Sequence, residues 1–266
     1  MPKISLITIN YNNKQGLEKT MKSVVSQSFK NFEYIVIDGG STDGSKDSIE
    51  NYASDIEYWV SEPDSGIYNA MNKGIEAAKG EYLLFLNSGD EFYETSSLEK
   101  AIPYLNGEDI IYGNLEIVDI EQHFIKNYSS QLSLHYFYID ALPHPGSFIK
   151  KTAFDNVGMY DENLKIVSDW KWFFEAFAKH SLQWKHIPVV VSRFYMDGVS
   201  SNVDKVNIER QEVFNSFPKS LTADAEIIEN LKREIKSLQE YKHKYNHLKK
   251  YRLVKLLAQL NLIKIP

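Results

Sequence analysis

The 266-residue chain contains no cysteine. Disulfide scaffolds, thiolate zinc sites and cysteine nucleophiles are thereby excluded, and the redox compartment is left open. No apolar run approaches the ~18 residues that a membrane span requires. The stretch from Ile4 to Ile9 is too short for the hydrophobic region of a secretory leader, and only Lys3 precedes it as a positive charge. With no export signal in view, the expected location is the cytoplasm. Glycine (13) and proline (8) are too sparse for collagen-like or low-complexity classes. What is present is a globular balance, 43% hydrophobic and 25% charged. That is enough chain for one large α/β domain, alone or with an appendage.

The net charge of −6 conceals an asymmetry. From residue 231 onward ten Lys and Arg stand against Glu234 and Glu240, so this end carries +8 and the body −14. An acidic body argues against broad nucleic-acid binding, whereas a basic end suits an anionic surface.

The first hundred residues alternate strand and helix. Ile4 to Ile9 is a β-branched apolar run that ends in Asn10-Tyr11-Asn12-Asn13, a buried strand entering a loop. Leu17, Met21, Val24 and Val25 follow at helical spacing. Further strands are expected at 33–37, 56–60 and 82–86. One helix is expected from near Asp43, and another through Met71, Ile75 and Ala78 to a stop at Gly80. Strands separated by helices imply a mainly parallel sheet covered on both faces. The polar clusters 10–13, 38–45 and 87–90 each follow a strand's C-terminal end, the edge where open α/β sheets bind ligands, so all three should converge on one crevice.

The second half is less regular. Strand-like pieces at 110–112 and 115–120 precede an aromatic stretch from Leu134 to Tyr138. Then come His144-Pro145-Gly146-Ser147-Phe148, a helix from about Asp169 to His180, and a strand through 189–194. This reads as an α+β extension of the first sheet. From about residue 221 there is no glycine, and no proline before Pro266. Leu231, Ile235, Leu238, Tyr241, Tyr245 and Leu248 recur there in steps of 3 and 4, the pattern of an amphipathic or short coiled-coil helix.

Five features could carry chemistry, and each has a plain reading beside it. In residues 38–45 (DGGSTDGS) the glycines allow close backbone approach and Asp38 can accept from a ribose or a base; the plain reading is a capped strand-to-helix turn. Residues 64–74 (DSGIYNAMNKG) open a helix whose first N–H groups suit an anion, with Lys73 one turn on adding charge to a diphosphate; the alternative is a capped helix with an exposed lysine. Residues 87–90 (NSGD) offer Asp90 to a magnesium-like ion, with Glu91 a poorer candidate, or form an ordinary turn. Asp169, in a first helical turn, is favoured by the macrodipole and can serve as a proton acceptor. The aromatics that follow, from Trp170 to Phe177, read as core. His243 and His247 are spaced i,i+4 but read as a solvated helix face among lysines.

Together these segments resemble family 2 glycosyltransferases with the GT-A nucleotide-sugar fold, over about residues 3–200. The resemblance rests on 5–12 (SLITINYN), 38–45, 64–74, 80–90 (GEYLLFLNSGD), 144–148 (HPGSF), Ser168-Asp169 and 197–200 (DGVS). It implies an α/β fold of GT-A type with an α+β acceptor-side extension and a C-terminal amphipathic helix. The implied organisation is a transferase domain over residues 1–220 and a helical tail over 221–266. Within the transferase domain, residues 1–100 form the donor side and residues 101–220 the acceptor side. By the same resemblance Tyr11 packs on the nucleobase, Asp38 holds the uridine, Asp64, Lys73 and Ser88 line the donor, and Asp90 binds a divalent metal, Mg or Mn. Asp169 stands at the position of the catalytic base. Gly39 stands where the family often has a second acid, Asn87 and Gly89 where a full DxD has carboxylates, Asn69 where Asp is frequent, and Ser168 in place of a frequent Glu.

The implied activity is inverting transfer of a sugar, hexosyl or N-acetylhexosaminyl, from a UDP-sugar to a saccharide acceptor in cell-surface glycan synthesis. The rival is a degenerate nucleotide-sugar binding or scaffold protein. A rival sugar-nucleotide transferase would need a glycine-rich basic loop after the first strand, which NYNN is not. The basic, apolar segment 249–263 suggests contact with the cytoplasmic face of an anionic membrane, suited to a lipid-linked acceptor, and the 3/4 repeat before it suggests a homodimer.

Overall fold

The computed structural model describes residues 2–119, 122–196, 198 and 201–248. Among the described residues nine strands form one sheet: β1 (Ile4–Asn10), β2 (Phe32–Asp38), β3 (Tyr58–Ser61), β4 (Tyr82–Phe85), β5 (Glu91–Phe92), β6 (Ile110–Val118), β7 (His123–Lys126), β8 (Ser147–Lys150) and β9 (Trp184–Tyr195). Their spatial order is β3-β2-β1-β4-β8-β6-β9-β5, with β7 paired to β6. The first four are mutually parallel, and β8 enters antiparallel between β4 and β6. The sheet is thus parallel from β3 to β4 and mixed beyond β4.

Of the parallel strands β1, β2 and β4 are buried on both faces, which is why they read as unbroken apolar runs. They are covered by helices, α1 (Lys14–Val25), α2 (Ser45–Asn51) and α3 (Ile67–Ala77). From α1 Leu17, Met21 and Val24 reach the core. On α3 a glycine allows close packing: a Cβ on Gly74 would meet Ile7 Cγ2 of β1 at 2.5 Å. The helices that follow are α4 (Ser97–Ala101), α5 (Leu134–Ile139), α6 (Lys151–Val157), α7 (Ser168–Lys179), α8 (Val203–Ser216) and α9 (Lys219–Leu248).

Several expectations shift. The helix expected near Asp43 starts at Ser45, because the Asp43 side chain accepts from the N–H groups of Ser45 and Lys14 and so stays outside it. The third strand is Tyr58–Ser61. The pieces expected at 110–112 and 115–120 belong to one strand, Ile110–Val118, interrupted by register shifts against β9 on either side of Asn114, and Ile120 lies outside the described residues. Pro188 sits inside that irregularity, where its missing N–H costs no ladder bond, and β9 therefore runs on from Trp184 through it. The aromatic stretch 134–138 is helical, with Ser133 capping Tyr136 N–H at 3.1 Å.

The chain divides into compact units at residues 1–216 and 217–266. In the second, α9 leaves Ile227, Ile228, Leu231, Ile235, Leu238 and Tyr241 exposed. Among the described residues no helix is long and apolar enough to cross a membrane. Residues 249–266, and Asp197, Val199 and Ser200 of the DGVS segment, lie outside the described residues.

Candidate active site

The parallel register brings Asn10, Asp38 and Ser61 side by side at the C-terminal ends of β1, β2 and β3. Asp38 is fully buried and accepts four hydrogen bonds there. Its Oδ1 takes the Asn10 amide (2.7 Å) and the Ser41 hydroxyl (2.6 Å); its Oδ2 takes the Ser61 hydroxyl (2.6 Å) and the Ser41 N–H (3.0 Å). Burial alone would push this carboxyl up, but the bonds from Ser41, Ser61 and Asn10 outweigh it and hold the pKa below the usual carboxylate range. Asp38, expected to hold a uridine, ties together the strand ends of β1 and β3 and the loop after β2.

The three loops do converge. Asn12 N–H donates to Ser41 Oγ (2.7 Å), and Asn12 Oδ1 accepts from Thr42 N–H (2.8 Å). Asn13 Nδ2 reaches the Ser88 carbonyl (3.2 Å) and hydroxyl (3.5 Å), fixing the 87–90 loop to the start of α1. The Thr20 hydroxyl donates to the Asp90 carbonyl (2.6 Å) and accepts from Gly89 N–H (3.0 Å).

On this rim Tyr11 is 67% exposed, its ring free on the solvent side. Gly39 lies between it and Asp64: a Cβ at residue 39 would stand 2.6 Å from Asp64 Oδ2 and 3.2 Å from Tyr11 Cδ2. Asp64 Oδ1 accepts from Gly66 N–H (2.9 Å) at the start of α3. The space of the family's second acid is thus occupied by the Asp64 carboxylate. Lys73 pairs with Glu62 at 2.6 Å and lines a groove of about 650 Å³ with Glu33, Glu57 and Glu76 along β3. Four glutamates make that groove a poor seat for a diphosphate, and an anion at α3 would compete with Glu62 for Lys73.

Around Asp90 the side-chain donors are oxygens. Asp90 is 8% exposed, Ser88 lies two residues away, and the Asn87 side-chain carbonyl is buried without a hydrogen-bond partner. Among the described residues no three His, Cys, Asp or Glu side chains cluster into a metal site. One carboxylate with an amide and a hydroxyl oxygen fits a hard cation that completes its shell with phosphate and water, and does not fit zinc.

Asp169 is the second residue of α7, and its Oδ1 accepts from the Tyr68 hydroxyl of α3 at 3.0 Å. Behind it the buried His144 shares a 2.9 Å hydrogen bond with Tyr160 and stacks on Phe85. Burial lowers the His144 pKa against the opposing charge of Asp169. Two glutamates set the approach to α7. Glu162 accepts from Asn69 and Asn72 (both 2.9 Å) and from Ser65 (3.4 Å), and the Asn72 and Asn69 bonds lower its pKa. Glu209 of α8 accepts the three consecutive N–H groups of Lys165, Ile166 and Val167 at 2.6, 2.7 and 2.9 Å. The next residue, Arg210, lies over the Trp170 ring at 4.9 Å, its Nε buried without a partner. Tyr68, Glu162, Glu209 and Arg210 were not singled out from the sequence. Tyr68 lay within a quoted motif; the other three have no local signal.

This architecture matches known proteins. Residues 5–160 match the family model described as glycosyl transferase family 2. The chain belongs to that family. This glycosyltransferase is 33% identical over 183 residues to an uncharacterized glycosyltransferase of Mycobacterium tuberculosis, covering 66% of this chain and 69% of the relative. It shares its fold with Staphylococcus aureus TarS. Against TarS 1–349 in complex with UDP-GlcNAc the TM-score is 0.63 at 18% identity, covering 82% of this chain and 68% of that one. Against the longer TarS chain it spans 41%. The mannosyltransferase PcManGT of Pyrobaculum calidifontis, in complex with GDP-Man and Mn2+, gives a TM-score of 0.57 at 17% identity, covering 79% of this transferase and 61% of PcManGT. The fold is the GT-A type expected from the motifs.

Proposed function

We propose that this glycosyltransferase moves a sugar from a nucleoside-diphosphate sugar, of the UDP class, to a saccharide hydroxyl with inversion at the anomeric carbon. The observation that carries this reading is the Tyr68–Asp169 hydrogen bond. It sets a carboxylate at the start of α7 beside the first turn of α3, whose N–H groups suit a diphosphate. The UDP-GlcNAc complex of TarS supports the donor class.

In this reading the nucleobase stacks on Tyr11, with Asp64 at its edge and the Asp38-bonded loops beneath. Asp169 accepts the proton of the acceptor hydroxyl as its oxygen attacks the anomeric carbon; the bond to the diphosphate oxygen breaks, and the nucleoside diphosphate leaves from the opposite face. The α3 amides stabilise the charge that develops on it. Asp90, with Asn87 and Ser88 at hand, would hold a divalent cation, Mg or Mn, which would supply further charge neutralisation.

The reading extends to the tail. The exposed Ile and Leu side chains of α9 pair with a second copy, and residues 249–266 rest on the cytoplasmic face of an anionic membrane that carries a lipid-linked acceptor. A second reading, a nucleotide-sugar binding protein without turnover, is favoured by Asn87 and Gly89 alone. Release of UDP from a panel of UDP-sugars, with and without saccharide acceptors, tests both. Acceptor-dependent release supports transfer, and binding without release under every condition supports the rival. Deleting 249–266 should abolish binding to anionic vesicles while transfer to a soluble acceptor continues.

A further inference from the structure

Tyr68 occupies two environments at once. Its main chain lies in the first turn of α3, where helix N–H groups have no intrahelical acceptor. Its side chain runs to α7, where the hydroxyl donates to Asp169 Oδ1 at 3.0 Å. The ring is 3% exposed and packs 5.8 Å from the Tyr160 ring, so the phenol is held in place. Burial first, and then the charge of Asp169, raise its pKa well above the ordinary tyrosine value. The hydroxyl therefore keeps its proton at neutral pH and donates it to Asp169, while its oxygen faces the backbone N–H groups of Ser168 and Asp169. Among the described residues no other side chain donates to Asp169. Tyr160, the buried His144 and Arg210 feel its charge from the other elements packed around it.

We infer that Tyr68 is a positioning residue that ties the base to the donor seat. Its hydroxyl fixes the rotation of the Asp169 carboxylate, holding Oδ1 and leaving Oδ2 to receive the acceptor's proton, while its amide belongs to the turn that faces the diphosphate. A displacement of α3 by the donor is thus felt at the base through one residue. The inference rests on Asp169 being the base. A carboxylate that turns freely about its terminal bond spends only part of its time aimed at the acceptor, and misplacement on the order of 1 Å can cost about 100-fold.

Tyr68→Phe keeps the ring and removes only the oxygen. We expect kcat to fall by about 10- to 100-fold, with UDP affinity by calorimetry and the melting temperature unchanged. Tyr160, His144 and Arg210 remain in place in this variant, so a fall confined to kcat reports on the lost bond. Wild-type kcat in Tyr68→Phe would overturn the inference, as would a loss shared equally by kcat, UDP affinity and melting temperature. Asp169→Asn separates the two readings. If it turns over normally, the base assignment fails and the inference with it; if it is inactive while Tyr68→Phe is normal, only the role of Tyr68 fails.

Discussion

In the proposed reading, the donor and acceptor sides of the sheet are built in different ways. On the donor side three strand ends and the loops that follow them supply the rim, and Asp38 takes bonds from Asn10, Ser41 and Ser61 within one layer of the parallel sheet. On the acceptor side one carboxylate, Asp169, is placed by a partner 101 residues away, and its helix is fixed by Glu209 from beyond β9. The first arrangement is a local consequence of strand–loop–helix order. The second exists only when the chain is folded. Substitutions on the donor side should therefore change nucleotide binding, and substitutions around α7 should change turnover or stability while binding persists.

The largest expected effect is at the base. Asp169→Asn should lower transfer by at least ~100-fold while UDP still binds, as read by calorimetry; loss of UDP binding would mean that the two sides are not separable. Next comes the metal. Asp90→Ala, or chelator added to the native protein, should abolish transfer, and the variant should show no metal-dependent gain in UDP affinity. Activity that persists in chelator would leave Asp90 a structural residue. Tyr11→Ala should weaken UDP binding by about 1–3 kcal/mol, the scale of base–aromatic stacking; unchanged UDP affinity would make the ring a bystander. Glu209→Gln keeps the shape of the side chain but weakens a carboxylate clamp on three amides, and should cost roughly 1–3 kcal/mol of stability. Its melting temperature should fall with UDP affinity intact.

The smallest effect is a pH dependence of stability. The folded pKa of His144 lies below that of a free histidine because the ring is buried. The unfolded chain therefore takes up a proton that the native state refuses, and stability present above about pH 6.5 declines as the pH falls below it. Melting temperatures across that range should show a shallower decline in His144→Phe than in the native protein.

Much of the donor side was legible because its signals are local. An apolar run closed by Asn, Gly or Asp marks a strand end, and register carries Asn10 to Asp38 and Ser61. Even there the hydrogen bonds of Asp38 could not be read, since their donors come from three segments. The ion pair of Lys73 was hidden for a similar reason: helical spacing gives its distance from Gly66 but not the presence of Glu62 at 2.6 Å. Around α7 the place of Asp169 at a helix start was legible. Glu162 and Glu209 look like any surface glutamate, and only the fold shows which amides they meet. The helix at 134–139 was missed because its aromatic run carries no period and its cap, Ser133, is a common residue.

The bonds around Asp38 have a thermodynamic consequence. Because Asn10, Ser41 and Ser61 already converge on one buried carboxylate, the cost of ordering these loops is met during folding. In the proposed reading a nucleotide would enter a seat that is already organised, and its affinity would not be reduced by the conformational entropy that a floppy loop would lose. The amide hydrogens of this rim should exchange as slowly in the free protein as in the UDP complex, and a donor with a different base should meet the same fixed edge.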